Sequence, residues 1–521
     1  MGKTKVEERK GIKAKNRRAS KPRNSKKKPQ NRYVLEGESE SVSTSAKKLK
    51  QSEDEYHINV DATTGYRFID FVTVFAAMSE FLVCKVCKSP VKFQEASIRG
   101  LGFKIAVLCE QCSPKYIKSC PVINNHAYDI NRRIVFVMRL LGVGVNGIKK
   151  FCSFMCLLHP VFQLFYDKIV STISIATAAV REKSMKNAAA KEKELSVQKG
   201  LTEGIVVSGD GMWKKRGFSS LLGVTSLIGW CTGKVIDVNV KSKICNQCNY
   251  WKGKEGTAEY EEWTATHEDS CQKNHEGLAG KMEVDAIIEM FQRSDELHSL
   301  KYSHYIGDGD SKTYKAIRRN HDSIVNMKKE IWATLYHKIS TDDNPQYDRC
   351  PDGENSWCSW KQAKARNELD NYQHKPTMKD EVFNAVKPIY EELCRDELLS
   401  RCLGGFTQNS NECFNSVLWA LAPKPMSSGK KIVDIAADIA VCNFNDRLHS
   451  IMNIMQTLNL PISQSCYTFC VQADNYRIQR AEGSMTEAVR EARRSGISAR
   501  KLTNEEDIDA EGVLHGAGIA D

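Results

Sequence analysis

The sequence predicts a mixed α/β chain: a short sheet with acidic residues near its strand ends, flanked by helices and by modules held together through cysteine. Three observations predict it. Apolar runs at 205–213, 220–228 and 234–240 are separated by tight turns, and a helical stretch and a fourth apolar run at 302–306 follow. Cysteines recur as Cys-x-x-Cys pairs at 84/87, 109/112 and 245/248. Of the 521 residues, 41% are apolar and 27% charged, enough apolar material for a core of ordinary globular kind.

Several classes are excluded at once. No apolar stretch reaches the roughly 18–20 residues of a membrane span; the best, 71–79, is bounded by Asp70 and Glu80. No membrane partner is therefore expected. The N-terminus is basic but has no apolar segment of the secretory type, and Val6 stands where a myristoylation signal needs Ser or Thr. Formal net charge is +12, and residues 1–30 hold thirteen Lys/Arg against two Glu, so nearly all of the excess is a tail. Residues 1–60 are poor in aromatics and are expected to be a disordered basic arm. Such an arm attracts polyanions and serves in nuclear import, which gives nuclear localisation as the expectation; a solubilising arm is the plainer reading.

The nineteen cysteines need an account. Without a secretory signal the compartment is reducing, so metal binding is expected rather than disulfides. Residues 61–125 read as a zinc ribbon. Cys84, Cys87, Cys109 and Cys112 form two knuckles around a hairpin-like segment, and four thiolates make a closed structural zinc site. Residues 126–200 read as helical. Ile134, Val137, Met138 and Leu141 keep helical spacing, the run Gly142–Gly147 breaks it, and Ile148, Phe151, Phe154 and Met155 resume it. A third helix runs from Phe162 through Val180 into the charged stretch to Lys199. Helices joined by glycine turns suit either a helix-turn-helix DNA reader or a plain bundle.

Residues 201–320 carry the candidate chemistry. The first strand runs into Asp210, the fourth into Gly307-Asp308-Gly-Asp310, and a helix over 282–297 carries Val284, Ile287, Ile288 and Phe291 on one face. The order β-β-β-α-β with acids at strand ends is the ribonuclease H-like arrangement, in which strands one and four are neighbours, so Asp210 and Asp308 are expected to converge. In residues 401–465 the Asn/Ser cluster before Glu412 starts a helix with Phe414, Val417, Leu418 and Leu421 on its apolar face. Glu412 falls in the first turn. Three carboxylates on separate elements can hold two Mg²⁺ or Mn²⁺ ions roughly 4 Å apart. Asp237 and Asp310 are alternative ligands, and ordinary turn acids are the plain reading of the same residues. Lys214, Lys215 and Arg216 follow the first acid and suit phosphate contacts or a solvated turn. Within this region an insertion, 245–275, offers a second structural zinc site from Cys245, Cys248, Cys271 and His275, with His267 as a substitute for His275. Residues 321–400 form a helical Cys/His insertion with a weaker set, His337, Cys350 and Cys358. Residues 466–521 read as a charged tail with a helix over 481–500.

These pieces resemble the Mutator-like transposase domain of animal transposable elements and of genes derived from them. The segments CKVCKSPVKFQEASIRGLGFKIAVLCEQC, NRRIVFVMRLLGVGVNGIKKFC, VSGDGMWKKRGFSSLLGVTSLIGWCTGKVIDVNVKSKICNQC, YIGDGDSKTYKAI, IWATLYHKISTDDNPQYDRCPDGENSWCSW and LGGFTQNSNECFNSVLWALAPK carry the resemblance, in order, over most of residues 80–445. The resemblance implies a DDE-type transposase with a ribonuclease H-like core. Asp210, Asp308 and Glu412 match the three catalytic acids. The chemistry implied is cleavage of element ends and strand transfer into target DNA with divalent metal, by a chain that self-associates. The family's strand and helix with Cys-x-x-His-Val-Gln-Lys-Arg has no counterpart between Lys315 and Met327, which implies a core lacking one strand and impaired activity. Tyr347 stands where the family often has His. The alternative is a catalytically inactive, domesticated zinc-dependent DNA-binding or chromatin protein.

Overall fold

The computed structural model describes residues 44–50, 57–123, 127–201, 204–215, 219–307, 324–341, 343–353, 356–369, 372, 377–400, 409–484 and 486. The chain divides into two compact units, residues 40–311 with 406–521, and residues 312–405 with 1–39.

The larger unit begins with α1 (Thr44–Lys50) and α2 (Phe71–Phe81). Asp70 starts α2 by accepting a hydrogen bond from Thr73 N–H at 2.7 Å, as an N-cap carboxylate does. Strands β1 (Val91–Arg99), β2 (Gly102–Cys109) and β3 (Lys115–Lys118) form an antiparallel sheet. The short pair β4 (Val122–Ile123) and β5 (Ala127–Tyr128) leads into helices α3 (Asp129–Leu140), α4 (Val145–Phe154) and α5 (Gln163–Gln198). The three helices exist where the sequence puts them, but two buried faces differ. In α3 the buried apolar residues are Val135, Phe136 and Met138, while Val137 and Leu141 are exposed. In α4 Ile148 and Cys152 are buried and Phe154 is 86% exposed. Apolar residues run nearly all round these helices, so periodicity alone does not choose the face.

Next come β6 (Ile205–Trp213), β7 (Leu222–Gly229) and β8 (Val235–Ser242), then α6 (Asn246–Trp251), α7 (Ala258–His267), α8 (Lys281–Gln292), α9 (Ser294–His298) and β9 (Tyr302–Ile306). The sheet order is β8-β7-β6-β9: the first three strands are antiparallel neighbours and β9 runs parallel to β6. Among the described residues the sheet has four strands. Every residue of β7 and β8 is buried, because both faces are covered. One face takes α8 through Met282, Ala286 and Met290, whereas Val284 and Ile288, expected inside, are exposed.

The smaller unit contains α10 (Ile324–Tyr336), α11 (Ser359–Ala365), α12 (Asp380–Leu393) and α13 (Asp396–Ser400). Met327, Ile331, Cys394 and Leu399 form its larger apolar cluster. The larger unit resumes with α14 (Asn409–Leu421), α15 (Lys430–Thr457) and α16 (Gln464–Gly483). Most of the helix expected over 481–500 lies outside the described residues. Among the described residues no helix is long and apolar enough to cross a membrane.

Two polar joints tie α5 and α15 to the sheet. Glu192 of α5 is fully buried; its carboxylate accepts from Cys231 N–H (2.8 Å), Thr232 N–H (2.8 Å) and the Thr232 hydroxyl (2.7 Å), closing the β7–β8 turn. A Cβ on Gly229 would lie 2.4 Å from that carboxylate, so the turn needs glycine there. Asn445 of α15 brackets the start of β8, accepting from Val235 N–H and donating to Val235 C=O, both at 2.8 Å. One residue on, α15 kinks, with Arg447 at φ +66°. Higher up, Asp438 of α15 meets Arg181 (2.8 Å) and Thr177 (3.1 Å) of α5, and burial pushes its carboxyl up to about 6.

Glu192→Ala leaves the turn's buried N–H groups without acceptors. It should lower the unfolding free energy by about 2–4 kcal/mol in urea titration. Asp438 gives a pH signature of defined sign. Its folded pKa lies above the unfolded value, so its contribution is fully present below about pH 4 and is lost as pH rises through about 6. Asp438→Asn should therefore flatten the fall in stability across that window, by about 3 kcal/mol at most.

Candidate active site and metal centres

The candidate catalytic acids lie on β6 and at the start of α14, segments about two hundred positions apart in the chain. Alternation along β6 sends Ser208, Asp210 and Met212 to one face and Gly209 and Gly211 to the other. The first face receives α14. Asn411, fully buried, accepts from the Ser208 hydroxyl (2.8 Å) and donates to Ser208 C=O (3.2 Å). One turn later Asn415 Nδ2 donates to Asp210 Oδ2 at 2.5 Å. Phe414 and Leu418 continue the docking face into the core shared with Met212, Leu222 and Val224. Glu412 lies three residues before Asn415, so the two are neighbours on the helix surface, and its side chain is exposed. On the other face Glu283 of α8 accepts from Gly211 N–H at 3.1 Å and anchors that helix.

The other expected residues fall out differently. Asp308 and Asp310 lie outside the described residues, as does Arg216. The strand leading to Asp308 is described, and its register sets Ile306 opposite Ser208. Asp237 is no candidate ligand: it is fully buried and paired with Arg293, whose Nε and guanidinium NH2 donate to its two oxygens at 3.0 and 2.5 Å. Lys214, for which the sequence suits either a phosphate contact or a solvated turn, is buried, and burial lowers its ammonium pKa; Lys215 is exposed. As a metal site, Asp210 and Glu412 offer the oxygen donors that a hard divalent cation takes. Asn415 Oδ1, beside Asp210, is buried without a hydrogen-bond partner among the described residues, so one more oxygen is available there for a metal-bound water. The residues present fit such an ion.

Among the described residues three Cys/His sets bring ligand atoms within 4.8 Å of one another. In the first, Cys84, Cys87, Cys109 and Cys112 meet at the open end of the β1–β2 hairpin. Lys88, at φ +63°, lets its N–H close back on Cys84 C=O (2.9 Å) and so shapes the first knuckle. The sulfurs of Cys84 and Cys112 are 3.8 Å apart and those of Cys87 and Cys109 3.2 Å. A tetrahedral ion with bonds of about 2.3 Å to sulfur spaces its thiolates about 3.8 Å apart. Without an ion the thiols conflict: the Ser89 hydroxyl and N–H hold Cys87 down to about 6, while the Cys87 and Cys84 thiols push Cys112 up to about 12. A divalent cation removes that conflict.

The second set is Cys245, Cys248, His267 and Cys271. His267 Nε2 lies 3.1 Å from Cys248 Sγ and 3.5 Å from Cys245 Sγ, and Cys248 and Cys271 are 3.6 Å apart. This corrects the expectation of His275. That ring is occupied elsewhere, with Nδ1 3.2 Å from Asp285 and Nε2 3.2 Å from Leu278 C=O. The Cys271-x₃-His275 spacing suggested a ligand, but α7 ends at His267 one turn before Cys271 and delivers the nearer imidazole. Trp263 stacks on the His267 ring at 4.4 Å, and Trp251 stacks on Trp263, which gives the insertion a small aromatic core. The third set, His337, Cys350 and Cys358, lies in the smaller unit. Its two cysteines are buried, with Tyr347 and Trp357 packed edge-on against the His337 ring.

The sequence model of the family described as Mutator-like transposase matches residues 65–325, half of the chain. The chain belongs to the Mutator-like transposase family. The matched stretch takes in the first cysteine set, α3–α5, Asp210 and the second cysteine set, and ends before Glu412. Comparison with curated proteins and with solved structures gives no match. Membership in this family suggests DNA as the partner.

His267→Ala should remove one equivalent of bound metal, measured by elemental analysis of the purified chain, and His275→Ala should retain it. Equal loss in both variants would contradict the assignment of His267.

Proposed function

We propose that the chain is a DDE-type transposase, or a protein derived from one, that cleaves element ends and joins them to target DNA. Asp210, Asp308 and Glu412 would hold two Mg²⁺ or Mn²⁺ ions. When bound, such ions supply an activated water or 3′-hydroxyl and neutralise charge on the leaving oxygen. The observation that carries the reading is the docking of α14 on β6, where Asn411 holds Ser208 and Asn415 holds Asp210. This joint brings the helix start bearing Glu412 to the strand bearing Asp210. The strand order, with β9 parallel to β6 and Ser208 opposite Ile306, supports a ribonuclease H-like core and a place for Asp308 near Asp210. Asn415 orients the Asp210 carboxylate. Lys215, exposed just beyond β6, would meet backbone phosphate, whereas the buried Lys214 is out of its reach. Zinc suits the first two cysteine sets, where sulfur and imidazole donors fill all four positions and leave no open one. The basic stretch 1–30 would serve nuclear import.

The test is Mg²⁺-dependent cleavage of the element's own terminal DNA. Asp210→Asn and Glu412→Gln should each lower cleavage on the order of 10³-fold or more while DNA affinity stays unchanged. Glu412→Gln should also leave thermal stability unchanged, since that side chain is exposed. A wild-type chain that binds the DNA but never cuts it in Mg²⁺ or Mn²⁺ would favour the non-catalytic DNA-binding reading instead.

A further inference from the structure

A cavity of about 610 Å³ opens between the α3–α4 turn, the start of α5, the second cysteine set and the loop from α14 to α15. Its wall contains a buried cation that pairs with no carboxylate among the described residues. Arg139 is only 7% exposed; its Nε is buried without a partner, and no hydrogen bond or ion pair of its guanidinium occurs among the described residues. Its NH2 sits 3.4 Å from where a Cβ on Gly144 would stand, so that glycine keeps the approach to the guanidinium open. A buried, unpaired guanidinium is costly unless an anion completes it.

Two helices begin at the same cavity. Gly144 is the N-cap of α4 and Gly429 the N-cap of α15, and both line the wall. Neither end has a side-chain cap or an acidic residue in its first turn, so, apart from Val145 N–H, which donates to the Tyr166 hydroxyl, their first-turn N–H groups and positive dipole ends are left to a ligand. Lys431 adds a second, exposed cation at the rim, and the Ser427 and Ser428 side chains add hydroxyls. The one carboxylate in the wall, Asp167, is exposed and accepts from Gln163 at 2.9 Å.

We propose that this cavity holds a phosphate of the DNA backbone. The inference rests on the transposase reading for the source of the phosphate; the anion chemistry stands without it. Placement favours a strand that continues to the catalytic acids. α14, of 13 residues, begins beside Asp210 and ends at Leu421 in the cavity wall. That is a span of about 20 Å, which a DNA strand rising 3.4 Å per step crosses in about six nucleotides. The cavity would hold the strand in register at a distance from the scissile bond.

The experiment uses the full chain, a labelled duplex of about 30 base pairs and inorganic phosphate. Fluorescence anisotropy is read over a salt series for wild type, Arg139→Gln and Lys431→Glu, with metal content and circular dichroism as checks of the fold. Both variants should bind the duplex at least about 10-fold more weakly, and each should flatten the salt slope by about one. If Arg139→Gln fails to fold, Lys431→Glu decides, because that side chain is exposed. Folded variants with unchanged affinity and slope would overturn the proposal. So would inorganic phosphate that stabilises wild type through Arg139 while DNA affinity is unaffected by either variant, which would mark a site for small phosphates. Duplex binding through Arg139 by a chain that never cleaves would overturn the transposase reading alone. Cleavage with unaltered binding in both variants would overturn this pocket alone.

Discussion

The candidate catalytic site depends on one polar joint inside an apolar seam. Asn411 and Asn415 reach β6 from a helix about two hundred residues later in the chain and bond to Ser208 and Asp210. Apolar contact alone, from Phe414 and Leu418, would hold α14 against the sheet but would tolerate sliding. Two directional amide bonds at successive turns fix its register. That register decides whether the exposed Glu412 carboxylate stands near Asp210 or one turn away. The aspartate is thus oriented by a neutral amide that donates to Oδ2.

The cysteine sets solve a different problem. The insertion between β8 and α8 has few apolar residues beyond its stacked Trp and Tyr rings, too few for a core of its own. Four side chains, Cys245 and Cys248 at the start of and within α6, His267 at the end of α7 and Cys271 just after it, are placed to substitute for that core by holding a cation. The same argument applies to the β1–β2 hairpin, whose strands are largely half-buried or exposed. In both places the paired knuckles bring mutually repelling thiolates together, so the local fold and the cation are thermodynamically linked.

Much of this was legible in the sequence, and the failures have physical causes. The four sheet strands lie within one or two residues of their expected bounds, because strongly apolar runs between Gly-rich turns leave little choice. The first cysteine set was readable from spacing alone. His267 lost to His275 in the reading because ligand spacing counts residues, whereas the imidazole is delivered by the C-terminal turn of α7. The faces of α3, α4 and α8 differ from expectation where apolar residues surround the helix; the elements packed against them, α5 for α3 and the sheet for α8, choose the buried side. Asp237 reads from sequence as a spare acid because its partner Arg293 lies fifty-six residues later in the chain. Asn411 and Asn415 did carry a signal, two amides four residues apart on an otherwise apolar face, but polar residues at a helix start read more simply as caps. Asp308 lies outside the described residues, and the family match stops before Glu412, so those two acids rest on the resemblance and on the α14 joint.

The kinked helix α15 has a consequence for how the chain is made. Its residues Ile435, Ile439 and Cys442 complete the core of α3–α5, and Val433, Ala437, Val441 and Phe444 complete the core over β7 and β8. A ribosome reaches β8 long before it reaches Thr457. At about 5–20 residues per second the sheet waits roughly 10–40 s with one apolar face uncovered. Over that interval the nascent chain presents buried-type surface to its surroundings, and truncation anywhere before α15 leaves it so for good. Shortened copies of this gene would yield sticky, short-lived polypeptides rather than stable fragments, which sets a natural limit on how such a chain can be trimmed by evolution.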